Sequence, residues 1–170
     1  YAAVFNLDIR CADPRLPGVW GAGVRWTPLR SRSTDRGGSR DAGKTVLDLY
    51  CGAGTIGLSM AKEAEKIIGV EIIEQAVRDA CFNARLNGIT NAEFICNDAA
   101  GAAAELAKKG VKPDVVMVDP PRKGCSAELI STIAEDFKPE KVVYVSCDPA
   151  TLARDIKIFG EKGYELKEYT

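Results

Sequence analysis

Histidine is absent from this 170-residue chain, and none of its six cysteines forms a C-x-x-C pair. A zinc site, a Cys–His dyad and a Ser–His–Asp triad are therefore poorly supported, and we expect no metal. Apolar runs are also short, since no stretch reaches the ~18 residues that a membrane span requires. The start of the chain shows no signal-peptide pattern. Unpaired cysteines without these features predict a cytoplasmic protein that does not enter a membrane.

Excess positive charge is lacking as well. The whole chain has a formal net charge of −1, and residues 44–170 hold 16 basic against 20 acidic side chains. A domain with this balance cannot bind nucleic acid strongly through nonspecific phosphate contacts. Any nucleic-acid affinity would therefore need other parts of a protein, or a few local basic residues.

Residues 44–170 alternate between strand and helix patterns. Apolar, β-branched runs predict strands at 45–50, 67–71, 92–96, 114–118, 141–146 and 164–170. The stretches between them predict helices at 55–64, 74–87, 99–109, 126–136 and 149–162. This alternation predicts one α/β domain with a Rossmann-like, mostly parallel sheet and helices on both faces.

Residues 1–43 do not share this pattern. They hold seven arginines and no lysine, and they are interrupted by Pro14, Pro17, Pro28 and an Arg/Ser/Gly run at 30–40. A basic run of this kind is compatible with an RNA-binding arm. Because we find no helical or strand period in it, we expect an atypical linker or a non-native segment that packs poorly.

The first strand of the domain leads into a glycine-rich turn. The residues are D-L-Y-C-G-A-G-T-I-G, with Asp48 and Tyr50 ahead of Gly52 and Gly54. Glycines let a backbone approach a ligand closely, and G-x-G-x-x-G is the spacing of nucleotide-binding turns. Glu71 ends the next strand, where an acid can accept hydrogen bonds from ribose hydroxyls. Both NAD and S-adenosylmethionine use this geometry, and the D-x-x-x-G-x-G form favours S-adenosylmethionine. We therefore expect Asp48, Gly52 and Gly54 to contact that cofactor.

Polar residues also end the later strands. Asp98 follows the strand at 92–96, where its carboxylate can reach an adenine amino group, and Asp119 opens the run D-P-P-R-K-G. Ligands bind at the carboxyl edge of parallel sheets, so we expect Asp98 and Asp119 to join Glu71 there. A solvated acid at a strand end explains any one of these residues, but it explains the series poorly.

Cys147 lies between the last parallel strand and the helix that follows it. The run V-S-C-D-P-A-T-L-A-R-D places Asp148 as a helix cap and Pro149 at the first helical position. A helix N-terminus on the ligand side of a sheet favours a reactive thiolate, which makes Cys147 a candidate nucleophile. Cys125, after the D-P-P-R-K-G run, is the rival, and we rank it below Cys147.

These motifs together resemble the catalytic domain of the RNA 5-methyluridine methyltransferases, from about Thr45 to the end of the chain. The resemblance implies S-adenosylmethionine as cofactor and RNA, ribosomal or transfer, as substrate, in a monomeric enzyme. It matches Cys147 to the family's nucleophile. It matches cofactor-contacting positions to Tyr50, Glu71, Asp98 and Asp119. Arg122, Lys123 and Arg154 are expected to help locally with RNA.

Covalent catalysis explains why such a reaction uses a cysteine. Uracil C5 is a poor nucleophile toward a sulfonium methyl group, but addition of a thiolate to C6 turns C5 into an enolate carbon. The family carries its general base, a glutamate, on a strand beyond Thr170, so the resemblance implies a C-terminally truncated domain. Two alternatives therefore stay open. One is a fragment that binds S-adenosylmethionine without turnover. The other is a methyltransferase that acts on an amino group of a nucleobase. The D-P-P sequence suggests this second alternative, but Arg122 follows it where such enzymes usually have an aromatic residue.

Overall fold

The structure, a computed structural model, describes residues 3–7, 43–166 and 168–169. Within these residues, one sheet contains all the strands: β1 (Ala3–Leu7), β2 (Thr45–Leu49), β3 (Lys66–Glu71), β4 (Ala92–Cys96), β5 (Val115–Val118), β6 (Lys141–Ser146) and β7 (Glu168–Tyr169). The strand order is β4-β3-β2-β5-β6-β1-β7. Strands β2 to β6 are parallel, as the sequence predicted.

Helices connect the parallel strands. They are α1 (Thr55–Ser59), α2 (Glu74–Leu86), α3 (Ala99–Lys108), α4 (Ala127–Ser131), which continues as a π-helical turn over Thr132–Phe137, and α5 (Pro149–Glu161). The predicted helices all exist, but α1 ends five residues earlier than the apolar pattern indicated. No described helix is long and apolar enough to cross a membrane.

The core lies on both faces of the sheet. Leu47, Leu49 and Ile68 pack on one face with residues of α3, α4 and α5. Val46 and Ile67, one position away in each strand, pack on the other face. Because successive strand side chains point to opposite faces, the apolar pair Val46–Leu47 of β2 and the apolar run Ile67–Val70 of β3 reflect burial on both sides. The α/β fold class with helices on both faces is confirmed.

The two ends of the chain differ from expectation. Ala3–Leu7 forms a strand, antiparallel to β6 and to β7, so the expectation of no strand within residues 1–43 was wrong for these five residues. Val4 and Phe5 favour extended structure, but their partner strand is distant in the chain, so local pattern does not reveal the pairing. Of the strand expected at 164–170, the described residues contain Glu168–Tyr169, while residues 164–166 are not in a strand. The Arg/Ser/Gly run at 30–40 lies outside the described residues, and the domain boundary after residue 43 stays a prediction.

Candidate active site

The carboxyl ends of three neighbouring strands bring the candidate residues to one edge. Leu49 of β2 pairs with Val118 of β5, and Val118 pairs with Tyr144 of β6. Tyr50, Asp119 and Cys147 follow these strands directly or within three residues, on the same side. Two strand spacings of about 4.8 Å separate β2 from β6, so the two outer loops begin about 10 Å apart. This separation suits a single ligand pocket.

The glycine-rich loop owes its shape to left-handed backbone. Tyr50, Gly52 and Gly54 have φ angles of 67°, 53° and 80°. A Cβ on Gly54 would lie 3.0 Å from Cδ1 of Leu58, so this glycine lets the loop approach α1 closely. A Cβ on Gly52 would meet open space. Tyr50 adopts its conformation without being a glycine, which is the kind of local strain found at functional sites.

Glu71 ties the loop to the end of β3. Its Oε2 accepts a hydrogen bond from the Gly52 N–H at 3.0 Å, and its Oε1 accepts one from the Ile73 N–H at 2.9 Å. A carboxylate has about four acceptor positions, so each oxygen keeps capacity for a further donor. Glu71 therefore both orders the loop and presents acceptors at the edge, where the sequence predicted a ribose contact.

Asp48 lies behind the loop. Its side chain is buried, and its Oδ2 accepts a hydrogen bond from the Gly57 N–H in α1 at 3.0 Å. The pKa of Asp48 is raised to about 7. Burial is the main cause, the Gly57 bond opposes it, and the nearby charges of Asp119 and Glu71 add to the rise. Asp48 was predicted to bind the cofactor, whereas its observed contact supports the start of α1.

Sequence reasoning missed a second support for the loop. Nδ2 of Asn83 in α2 donates to the carbonyl of Ala53 at 3.1 Å. Asn83 lies on the same helix face as the buried residues Ala80 and Ala84. A polar side chain on an otherwise buried face was the signal that could have identified it.

The two later acids differ in environment. Asp98 is exposed, and its Oδ1 accepts a hydrogen bond from the Gly101 N–H at 2.8 Å, which caps α3. Asp119 is also exposed, yet the protein around its carboxyl removes enough water to raise its pKa. Burial is the main cause of the raised pKa of Tyr50, about 12, and the charges of Cys125, Asp98 and Asp155 add to it. Asp98 and Asp119 follow β4 and β5, which are parallel strands of one sheet and therefore end at the same edge.

Cys147 occupies a tightly hydrogen-bonded turn. The preceding Ser146 hydroxyl donates to the Asp148 carbonyl at 3.0 Å and accepts from the Asp148 N–H at 3.1 Å. The Asp148 carboxylate accepts from the N–H groups of Ala150 and Thr151, which caps α5 as the sequence predicted. Cys147 itself is exposed. The turn therefore holds an accessible thiol at a fixed place on the edge.

Cys125, the rival nucleophile, is placed very differently. Its side chain is buried, and burial raises the pKa of its thiol to about 12. Because the thiolate is the reactive form, a thiol with this pKa is a poor nucleophile near neutral pH. The environment of Cys125 therefore agrees with ranking it below Cys147 as the candidate nucleophile.

Arg154 was expected to contact RNA, but its side chain is engaged within the protein. Its Nε donates to Oδ1 of Asp155 at 2.8 Å, and its Nη2 donates to the Lys123 carbonyl at 2.8 Å. Over the described residues, no group of three or more histidine, cysteine, aspartate or glutamate side chains is arranged to hold a metal ion.

Comparisons with known proteins show which family this chain belongs to. A model of the family described as tRNA (Uracil-5-)-methyltransferase matches residues 37–163. An uncharacterized RNA methyltransferase of Enterococcus faecalis is 54% identical over 123 residues, which are 72% of this chain and 27% of that protein. A similar protein of Bacillus cereus is 52% identical over 128 residues, with coverages of 75% and 28%. The chain thus spans little more than a quarter of the length of the curated relatives it matches.

Solved structures support the same family. The Pyrococcus abyssi tRNA (uracil-54, C5)-methyltransferase, in complex with S-adenosyl-L-homocysteine, is 35% identical, with a TM-score of 0.59 over 71% of this chain and 29% of that one. An Agrobacterium tumefaciens SAM-dependent methyltransferase, 21% identical, shares the fold with a TM-score of 0.62 over 72% of this chain and 44% of that one. The resemblance that the motifs indicated is confirmed, and S-adenosylmethionine is confirmed as the cofactor at the level of the family. The chain belongs to the tRNA (uracil-5-)-methyltransferase family.

Proposed function

We propose that this chain is the cofactor-binding and nucleophile-bearing part of an enzyme that methylates C5 of a uridine in RNA. The observation that carries the proposal is the position of Cys147. It is exposed, at the sheet edge that carries the glycine-rich loop, in a turn braced by a helix cap. An amino-methyltransferase needs no thiol at this place.

The residues at the edge fit S-adenosylmethionine. The open space over Gly52 leaves room for the amino-acid end of the cofactor. The free acceptor positions of Glu71 suit ribose hydroxyls, and Asp98 suits the adenine amino group. Asp119 and Tyr50 border the same space. In this scheme Asp48 is a positioning residue, because its carboxylate holds α1 rather than facing the edge.

The bound cofactor supplies a methyl group on a positively charged sulfur. The Cys147 thiolate adds to C6 of the uracil, and the electrons of the C5–C6 double bond move toward C5 and the O4 enolate. C5 would then take the methyl group as the methyl–sulfur bond breaks, and the sulfur would keep that electron pair and become neutral. A base removes the C5 proton, the double bond forms again, and the C6–sulfur bond breaks to release the thiolate. The resemblance to the family implies a glutamate as this base.

RNA is the substrate class that the family membership supports, and both transfer and ribosomal RNA are candidates. Arg122 lies close enough to the Cys147 turn to lower the pKa of Asp148, although the N–H bonds of Thr151 and Ala150 lower it more. Arg122 and its neighbour Lys123 are exposed, so they are the local cations available to a phosphate near the nucleophile. The net charge of the domain does not supply strong binding, which other regions must provide.

The test is methyl transfer from labelled S-adenosylmethionine to RNA. We would compare this chain with a chimera in which residues 44–163 replace the matching region of the Enterococcus faecalis relative. We expect the chimera to label uridine at C5 and the chain alone to bind the cofactor with little or no turnover. Labelling of adenine or cytosine by the chimera would contradict the uridine assignment. Cofactor binding without any labelling by the chimera would favour the binding-only alternative.

A further inference from the structure

A buried carboxylate on α5 is used neither by the cofactor site nor by the proposed chemistry. Asp155 is completely buried, at a position where the helix otherwise presents Leu152 and Phe159 to the core. Its Oδ2 accepts hydrogen bonds from the Tyr144 hydroxyl at 2.6 Å and from the Cys125 N–H at 2.8 Å. A buried charge is tolerated only when it is fully paired, so these partners are essential to its place in the core.

Arg154 completes the pairing from the other side. Its Nε and Nη2 both contact Oδ1 of Asp155, at 2.8 Å and 2.7 Å. Its Nη2 also reaches two carbonyls of the loop after β5, those of Lys123 at 2.8 Å and Cys125 at 3.4 Å. The same pair of helix residues therefore holds an N–H and two carbonyl groups of one loop.

The loop is shaped to receive this pair. Gly124 has a φ of 75°, and its N–H closes a turn onto the Pro121 carbonyl at 2.8 Å. A Cβ on Gly124 would lie 2.5 Å from Oδ2 of Asp155 and 2.6 Å from Nη2 of Arg154. Backbone conformation and steric fit thus agree that the end of the loop closes directly over the two side chains.

We propose that Tyr144, Arg154 and Asp155 form a clamp that fixes the loop at 119–125 to helix α5, and thereby positions Cys147 relative to Asp119. Asp119 opens the clamped loop, and Cys147 immediately precedes the helix that carries the clamp. The proposal rests on the proposed function, because it assigns the three residues a positioning role for that reaction. None of them touches substrate or cofactor in this scheme.

The clamp predicts a particular kinetic signature. Of the proposed cofactor contacts, the clamped loop carries Asp119, whereas the glycine-rich loop, Glu71 and Asp98 lie outside the clamp. Cofactor binding should therefore change little when the clamp is broken. The distance between the nucleophile and the methyl donor should become less well defined, and a misplacement of about 1 Å can cost about 100-fold in rate. Loss of the clamp should therefore lower kcat while leaving the KM for S-adenosylmethionine nearly unchanged.

The first experiment measures amide hydrogen exchange by mass spectrometry on this chain in the presence of S-adenosylhomocysteine. In Asp155→Asn and Tyr144→Phe, we expect exchange to accelerate about tenfold in peptides covering both 119–125 and 146–151, with the peptide over 50–57 unchanged. Acceleration in one loop alone, or equally across the domain, would overturn the clamp as a link between the two loops. This readout does not depend on methyl transfer, so it stands even if the proposed function fails.

The second experiment measures kcat and KM in the chimera, with the rate divided by the number of molecules that bind the cofactor. Arg154→Gln should lower kcat at least about tenfold with the KM for S-adenosylmethionine changed less than about threefold. Lys157→Gln removes a cation from an exposed position of the same helix and should leave both unchanged. Arg154→Lys keeps the charge without the forked geometry and should not restore the rate. An unchanged kcat in Arg154→Gln, or full rescue by lysine, would overturn the positioning role.

Discussion

The loops after β2 and after β6 face the same edge of the sheet, but they are held in place by different means. The glycine-rich loop is held through its backbone: the Gly52 N–H bonds to Glu71, and the Ala53 carbonyl bonds to Asn83. The turn at Cys147 is braced by its own neighbours, Ser146 and Asp148, which bond to each other and to the start of α5. One loop leaves backbone open toward a ligand, and the other presents a single side chain.

The two loops should therefore be sensitive to different substitutions. The glycine-rich loop, which is held through backbone groups and positive φ angles, should be disturbed by added side-chain atoms or by loss of a distant hydrogen-bond acceptor. The function of the Cys147 turn should depend mainly on the thiol itself.

Replacement of Cys147 should have the largest effect. In the chimera, Cys147→Ser should lower methylation of uridine RNA by at least about 1,000-fold, because the covalent step is lost. With RNA containing 5-fluorouridine, which has no removable proton at C5, the unaltered chimera should accumulate a covalent adduct and Cys147→Ser should not. Cys125→Ser is the matched control and should leave the adduct intact. An adduct in Cys147→Ser would show that the nucleophile is misassigned.

Glu71 tests the backbone-held loop. Glu71→Ala should weaken binding of S-adenosylmethionine by about 1–3 kcal/mol, because charge-assisted hydrogen bonds to the ligand and to the Gly52 N–H are both lost. Isothermal titration calorimetry on this chain measures the change. Glu74→Ala removes an exposed acid three residues away, whose ion pair with Arg78 is on the surface, and should bind normally. Equal affinities of Glu71→Ala and the unaltered chain would remove Glu71 from the site.

Gly57 tests whether added atoms are tolerated behind the loop. A Cβ at Gly57 would lie 2.8 Å from Oδ2 of Asp48, so Gly57→Ala should lower the free energy of unfolding by about 1–3 kcal/mol through overpacking. Gly160 of α5 is the control, because a Cβ added there would have no atom within 4 Å. Gly160→Ala should leave the free energy of unfolding unchanged or raise it by up to about 1 kcal/mol. Urea denaturation of both variants measures the contrast. The idea of a tight Asp48–Gly57 contact fails if the two changes have the same sign.

The ionisation of Asp48 provides a test that depends on pH. Its pKa in the folded chain is raised from 3.8 to about 7, with burial as the main cause. As pH rises from about 4 to about 7, the unfolded chain loses this proton and the folded chain keeps it, so ionisation progressively destabilises the fold. Asp48→Asn should remove this part of the pH dependence, for which a rise in pKa from 3.8 to about 7 corresponds to about 4 kcal/mol at most. Parallel curves of unfolding free energy against pH for the two proteins would contradict the raised pKa.

Local signals were sufficient for much of the fold. Strands β3, β5 and β6 were predicted because residues buried on both faces give apolar runs, and β2 because its apolar residues are interrupted only by Asp48. The cap at Asp148 was predicted from the Asp-Pro pair. The strand at Ala3–Leu7 was missed because it pairs with β6, whose residues 142–146 are far away in the chain. The π-helical turn at Thr132–Phe137 was missed because an apolar period does not show a change in the backbone hydrogen-bond step.

The candidate site also contains features that the sequence predicted and features that only the structure revealed. Residue type and spacing alone identified the glycine turn, the acids at the strand ends and Cys147 as the nucleophile to test, since each follows a strand and parallel strands end at one edge. Only the tertiary structure decided that Asp48 faces α1, that Cys125 is buried, and that Arg154 is bound to Asp155 and the Lys123 carbonyl. The physical reason is that burial and hydrogen-bond partners depend on which distant segments pack together, and no local pattern of residues records that.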